Sequence, residues 1–470
     1  MAGELLTKLS STICLAFDLG ASSWRAALAY QDGAGVCLDE IYREENSPIQ
    51  RGDGLFWDID RIFSGIKRVM KDVAYKRVRV SSIGIDSWSV DYGLLDEAGV
   101  LLEPPRCYRD PRNQGMLQEL TASIGLDALF ARTGVLAEDI TTLCQLLATR
   151  KQTPAILERA ATLLFIPDLL RYWLCGQRAT DFTLATTSQM YNLQQRAWDE
   201  ELLALVDLPS RMLPKVFDAG TVLGCLNPQL QEETGLGHVP VVTGASHDTA
   251  AAFLAASGDQ DCAILSSGTW SILGVNLTHT LPSAGIDPRR FGYEGNVDGS
   301  LRLIHNVPGM WLLERCRTEW NRGGVECTYD ALIQEARRRI DFTGRIDPHW
   351  PGFVYPERML EAIGAYMRET AQPEPHSPGE FTRAILSGLA ESYAQTLDEL
   401  RALTNRKLER LVVVGGGAQN ELLNELTACR ANVVVSFGPI EATILGNVQN
   451  QLLAIQTVQE TQGSCRDQIK

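Results

Sequence analysis

Short apolar runs alternate with stretches of helical period along the chain, and this alternation predicts an α/β protein. Residues 13–18 and 24–30 read as two strands joined by the tip Leu19-Gly20-Ala21-Ser22-Ser23. Residues 60–74 form an amphipathic helix, and 80–93 a strand followed by a polar, aromatic loop. Residues 114–206 are mainly helical in pattern, with helices at 143–151, at 155–164 and from Pro167-Asp168 to Cys175. Residues 211–224 are an irregular connector. Further on, 381–403 is the longest amphipathic stretch. A strand at 411–415 precedes the glycine loop 415–417, a helix at 420–430, a strand at 433–436 and a last helix at 441–456. In that last helix Ile444, Val448 and Leu452 recur every four residues, so one face packs inward. Residues 460–470 are polar and expected to fray.

The chain is organised around VVTGASHDTAAA, residues 241–252. A buried strand ends near Val242, Gly244 breaks it, and a helix starts at Thr249. Ser246, His247 and Asp248 therefore fall at a strand-to-helix junction, where the helix dipole and free N–H groups stabilise a carboxylate. Taken alone, Asp248 reads as an N-cap. At the carboxyl end of a sheet it can equally reach a ligand.

The strand–tip–strand pattern of 13–30 recurs at 262–276, with Ser266-Ser267-Gly268-Thr269-Trp270 at its tip. Each copy opens about half of the 470 residues, which predicts a duplicated α/β domain. The boundary is expected in the small, polar stretch 255–261, giving domains 1–256 and 257–470.

Composition narrows the partners. The net charge is −15 and no Lys/Arg stripe stands out, so nucleic acid and anionic membrane are poor partners. Eleven cysteines without a C-x-x-C pair suggest reduced thiols and a cytoplasmic protein. The six histidines show no metal-ligand spacing. A choice between monomer and homodimer stays open.

Four segments can carry chemistry. The tips holding Ala21, Ser22, Ser23, Trp24 and Arg25, and holding Gly268 and Thr269, offer N–H groups and hydroxyls to phosphate. Asp18, at a strand end, can hold Mg²⁺ through water, since this ion needs only one or two protein carboxylates beside phosphate oxygens. The loop Gly415-Gly416-Gly417 before a helix lets a nucleotide lie against backbone; it is neither a P-loop nor G-x-G-x-x-G. In the loop Asp86-Ser87-Trp88-Ser89-Val90-Asp91, a ring face and carboxylates suit a sugar. Each segment also has a plain structural reading as a turn or capped loop. Ser246 lacks the closing Gly of a nucleophile elbow, and adjacent Ser, His and Asp cannot converge as a triad, so a serine hydrolase is disfavoured.

In this order, AFDLGASSWR, IDSWSVDYGLLD, YRDPR, TDFTLATTSQM, LPKVFDAGTVLG, GASHDTA, LSSGTWS, VVGGGAQN and EATILGN resemble the FGGY carbohydrate kinases. The likeness is greatest to the branch acting on L-rhamnulose, to which HNVPGMWLLER (305–315) also points. The resemblance implies two actin/hexokinase-like (ribonuclease H-like) domains with a catalytic cleft between them. It implies transfer from ATP, with Mg²⁺, to the primary hydroxyl of a ketose, with L-rhamnulose first. L-fuculose, a pentulose, or a non-catalytic nucleotide or sugar sensor are the alternatives. On this reading Asp248 is the catalytic base and, with Asp18, a metal ligand. Ala21–Arg25, Gly268, Thr269, Glu314, Gly416, Gly417 and Asn420 contact ATP. Ser89, Asp91, His247, Asp248, Thr249 and Asn306 contact the sugar. Trp24, Ser89 and Glu314 depart from the family pattern.

Overall fold

The computed structural model describes residues 12–32, 35–256, 261–282, 285–353 and 356–467. The expected boundary at 255–261 falls largely on 257–260, outside the described residues. The chain divides into two compact units, one of residues 1–255, 287–301 and 443–470, the other of 256–286 and 302–442. No described helix is long and apolar enough to cross a membrane.

The first unit is built on a six-stranded sheet. Its strands are β1 (Ile13–Leu19), β2 (Ser23–Asp32), β3 (Gly35–Glu45), β4 (Ser82–Ser87), β5 (Val222–Cys225) and β6 (Pro240–His247), in the order β5-β6-β4-β1-β2-β3. β1 and β4 are buried along their whole length. They run parallel to each other, and β4 runs parallel to β6. Burial on both faces is why these strands read as unbroken apolar runs rather than alternating ones. β1 and β2 form the hairpin expected at 13–30. On one side of the sheet lies helix α1 (Ile59–Tyr75), capped by Asp58, whose carboxylate accepts from Arg61 N.

Two local expectations change. β6 continues through Gly244 to His247, with a register irregularity between Thr243 and His247. The glycine does not end the strand: pairing with β4 lapses after Thr243 and resumes at His247, opposite Ser87. The stretch 155–164 is a helix only at Pro154–Arg159. Thr162–Phe165 is a strand paired antiparallel with Tyr92–Leu95, so a partner distant in sequence overrides local helical pattern.

The second unit repeats the strand–tip–strand start. β7 (Cys262–Ser267) pairs antiparallel with β8 (Ser271–Leu277), and with β9 (Leu301–Val307), β10 (Arg410–Val414) and β11 (Val434–Phe437) gives the order β9-β8-β7-β10-β11. Helix α2 (Pro378–Thr404) is the long amphipathic helix expected at 381–403; Ser377 caps its start and Asn405, in the left-handed conformation, its end.

The last helix, α3 (Ala442–Asp467), runs further than expected and belongs to the first unit from Thr443 onward. Ile444 and Val448 pack on Cys14, Ala16, Ala27 and Ala29 of β1 and β2. The same face carries amides into the sheet. Asn447 Nδ2 donates to Asp86 Oδ2 (2.6 Å) and Phe17 O (3.3 Å), and Asn450 Nδ2 to Thr243 O (3.0 Å). Gln451 Nε2 donates to Leu15 O (3.3 Å), within a hydrogen-bond network that reaches Ser82. Gly84 makes room for these amides, since a Cβ there would strike Asn447 and Gln451. Gly446 lets α3 approach the backbone of Ala251, which is rigid and cannot yield. We expect Gly446→Ala to destabilise the protein by about 1–3 kcal/mol, the usual cost of overpacking; a thermal melt unchanged within a degree would contradict this packing.

Candidate functional site

The parallel register of the first sheet sets the site. Asp18 on β1 lies directly beside Asp86 on β4, and Ser87 on β4 lies beside His247 at the end of β6. Asp248 follows as the first residue of helix α4 (Asp248–Ala255). Three carboxylates thus gather at the carboxyl ends of adjacent strands, where open α/β sheets bind ligands.

Few cations balance them. Arg25, opposite Asp18 on β2, donates through Nε and Nη2 to Asp18 Oδ2 at 2.9 and 2.7 Å. Asp86 is fully buried; among the described residues its Oδ1 has no partner and its Oδ2 is held by Asn447. Burial first, then the charges of Asp18 and Asp248, push the Asp86 carboxyl well above the ordinary carboxylate range.

Asp248 is pushed up to about 7, by burial first and then by the charge of Asp18, with Glu294 adding to it. Thr249 opposes this shift, donating to Asp248 Oδ1 from its N at 2.6 Å and its Oγ1 at 3.1 Å. These bonds hold Oδ1, and Oδ2 is left to accept a proton. His247 stands between two carboxylates, with Nε2 3.3 Å from Asp248 Oδ1 and Nδ1 3.4 Å from Glu294 Oε2. Sequence reasoning missed Glu294: no motif marks it, and it reaches the site from residues 287–301, which the chain returns to the first unit.

Several expected residues have other surroundings. Trp24 does not present its ring to a phosphate. The ring is fully buried against Phe17 and Tyr42, and Gly65 of α1 leaves room for it. Strand alternation is the reason: Arg25 points to the site and Trp24 to the opposite face. Asp91 is not a free acceptor for hydroxyls. Its Oδ2 accepts from Trp57 Nε1 (2.6 Å), Trp88 Nε1 (3.0 Å) and Tyr108 N (3.2 Å), and its Oδ1 from Gln145 Nε2 (2.9 Å). Burial nevertheless pushes its carboxyl to about 6. Asp91 instead braces the loop that carries Trp88 and the partly exposed Ser89. Ser246 is buried and accepts from Arg171, so it is no nucleophile.

At the first-unit tip, Gly20 N donates to Ser23 O at 3.0 Å, and a Cβ at Gly20 would lie 2.8 Å from that oxygen. Ala21, Ser22 and Ser23 are at least partly exposed. In the second unit, Gly268 O and Thr269 O accept from Met310 N and Trp311 N, so the tip caps helix α5 (Trp311–Arg322). Gly415 has φ +80°, and Gly417 sits so close to Ser267 that a Cβ would overlap its side chain. Around Gly416 there is open space. Asn420 caps helix α6 (Glu421–Ala431) by accepting from Leu423 N at 3.1 Å. Glu314 is tied to Arg317 and Tyr329, and Asn306 Oδ1 is buried without a partner among the described residues. The first unit therefore brings together Asp18, Arg25, His247, Asp248 and Thr249. The second brings Gly268, Thr269 and the loop 415–417 to the ends of β7 and β10.

Comparison with known proteins finds two consecutive family domains along the sequence. Residues 13–255 match the FGGY family of carbohydrate kinases, N-terminal domain, and 263–455 the C-terminal domain of that family. A rhamnulokinase of Bacteroides thetaiotaomicron is 38% identical over 449 residues, covering 95% of this chain and 92% of that one. A rhamnulokinase of Klebsiella pneumoniae is 39% identical over 448 residues, covering 94% of this chain and 89% of that one. Among solved structures, gluconate kinase from Lactobacillus acidophilus superposes with a TM-score of 0.76 at 17% identity, over 95% of this chain and 90% of that one. Xylulose kinase from Rhodospirillum rubrum gives 0.76 at 19%, over 93% and 89%. At such identities the structures speak for the fold alone, whereas the two domain matches account for most of the sequence, and the chain belongs to the FGGY family of carbohydrate kinases.

Proposed function

We propose that this protein transfers the γ-phosphoryl group of ATP to the primary hydroxyl of a ketose, L-rhamnulose at O1. The sugar identity is supported by the relatives named rhamnulokinase, 33–39% identical over about 95% of the chain. The observation that carries the mechanism is Asp248, a carboxylate with one oxygen held by Thr249, the other open, and an affinity for protons suited to neutral pH.

The first unit binds the sugar through Ser89, His247, Thr249 and Asp248, and the second binds the nucleotide through Thr269, Gly268 and the loop 415–417. Asp248 Oδ2 takes the hydroxyl proton as the oxygen attacks. A base whose pKa lies near the working pH combines a large deprotonated fraction with strong proton affinity. Glu294 keeps His247 turned toward Asp248, so His247 can donate to a sugar oxygen or to the carboxylate. Arg25 holds Asp18 in one orientation.

The residues fit a divalent cation. Asp18, Asp86 and Asp248 repel one another, and among the described residues Asp86 Oδ1 has no donor. Among the described residues no group of three or more His, Cys, Asp or Glu is arranged as a full ligand set. Mg²⁺ needs only one or two carboxylates when phosphates and water complete its shell. Asp18 would hold it, with Asp248 beside it. Bound there, the ion would neutralise charge on the phosphates.

Two outcomes are expected. Asp248→Asn lowers kcat by about 10²–10⁴, the usual contribution of a general base, while ATP binding by calorimetry is retained; activity within tenfold of the parent refutes the assignment. Because the base acts as the carboxylate, kcat/KM falls about tenfold per pH unit below about 7 and levels above it. A flat profile from pH 5.5 to 8 excludes Asp248 as the titrating base. A panel of L-rhamnulose, L-fuculose and pentuloses, read by ADP release, ranks the acceptors. ATP binding without turnover of any of them would favour a sensor.

A further inference from the structure

Behind the end of β6 lies a wholly buried charged cluster to which no role has been given. Asp168 and Arg171 lie on helix α7 (Ile166–Cys175) and Asp181 ends the strand Ala179–Asp181; all three have no exposed surface. Arg171 donates through Nη2 to Asp168 Oδ1 and through Nη1 to Ser246 Oγ, and its Nη2 is 3.9 Å from Asp181 Oδ2. Asp181 Oδ1 accepts from Thr183 N at 2.8 Å and from Thr183 Oγ1 at 2.5 Å. Thr183 Oγ1 in turn accepts from His247 N at 3.2 Å.

The direction of these bonds matters. Thr183 Oγ1 spends its one proton on Asp181, so its lone pairs are fixed toward His247 N. Ser246 is tethered by its side chain and His247 by its backbone. These are the two residues before Asp248; Ser246 lies in the stretch where β6 loses regular register with β4, and His247 is where pairing resumes, opposite Ser87. The sheet ladder alone does not set that backbone. Burying two carboxylates and one guanidinium is costly, and apolar residues of similar volume would serve stability as well or better. What the cluster supplies is direction. We propose that Thr183, oriented by Asp181 and supported by the Asp168–Arg171 pair, is a positioning residue that aims the His247–Asp248 segment at the acceptor hydroxyl. This rests on the reading of Asp248 as the base.

Displacing a catalytic group by about 1 Å costs on the order of 10²-fold in rate. Thr183→Val keeps the shape of the side chain and removes the acceptor. It is expected to lower kcat for the best ketose by tenfold or more, leave KM for ATP within twofold, and shift the melting temperature by only a few degrees. Thr183→Ser, which restores the hydroxyl, is expected to return kcat to within threefold of the parent. In the Asp248→Asn background, Thr183→Val is expected to lower the residual rate no further, because there is no base left to aim. A kcat of Thr183→Val within twofold of the parent overturns the proposal. So does failure of rescue by Ser, or an equal loss in the Asp248→Asn background, which would indicate a purely structural role. An active Asp248→Asn variant instead overturns the assignment of the base, and the same assay distinguishes the two failures.

Discussion

Like charge gathered at the ends of three adjacent strands is the constraint on which the first unit depends. Asp18 and Asp86 are register partners, and Asp248 follows the strand on the other side of β4. Left bare, such a group would resist folding. Arg25 compensates Asp18, Asn447 compensates half of Asp86, and Thr249 compensates one oxygen of Asp248. Burial first, and then the remaining charge imbalance, raises the proton affinity of Asp86 and Asp248.

That imbalance explains features far from the site in sequence. Helix α3 turns polar residues toward the sheet because Asp86 and the backbone carbonyls of β1 and β6 need donors. Gly84 and Gly446 are small because those amides and that helix must come close. The Trp57–Trp88 pair, 4.3 Å apart between ring centroids, is locked through the shared acceptor Asp91, which stiffens the loop bearing Ser89. Aromatic packing and a saturated carboxylate thus keep a polar loop rigid beside the site.

The buried Asp168–Arg171–Asp181 cluster follows the same logic on the other side of β6. Its charges never meet solvent. They trade stability for a fixed backbone at Ser246, where regular strand pairing has lapsed, and at His247, where it resumes. In the second unit the parallel pairing of β7 with β10 brings the glycine loop to the tip of β7, where the missing Cβ of Gly417 leaves room for Ser267.

Local pattern determined much of this protein. The repeated strand–tip–strand design, the buried strands, the long helix α2 and the junction bearing Asp248 all follow from period and turn chemistry over short windows. Tertiary structure decided what each polar group does. Trp24 and Arg25 are neighbours, yet strand alternation sends one to the core and the other to Asp18. Asp91 looks like a sugar ligand until Trp57, Trp88, Tyr108 and Gln145 arrive from four places to occupy it. Glu294 and Arg171 carry no local signal, and EATILGN does not tell what Asn447 will touch, because a side chain's partner is set by where the chain returns in space, and no short window of sequence contains that return.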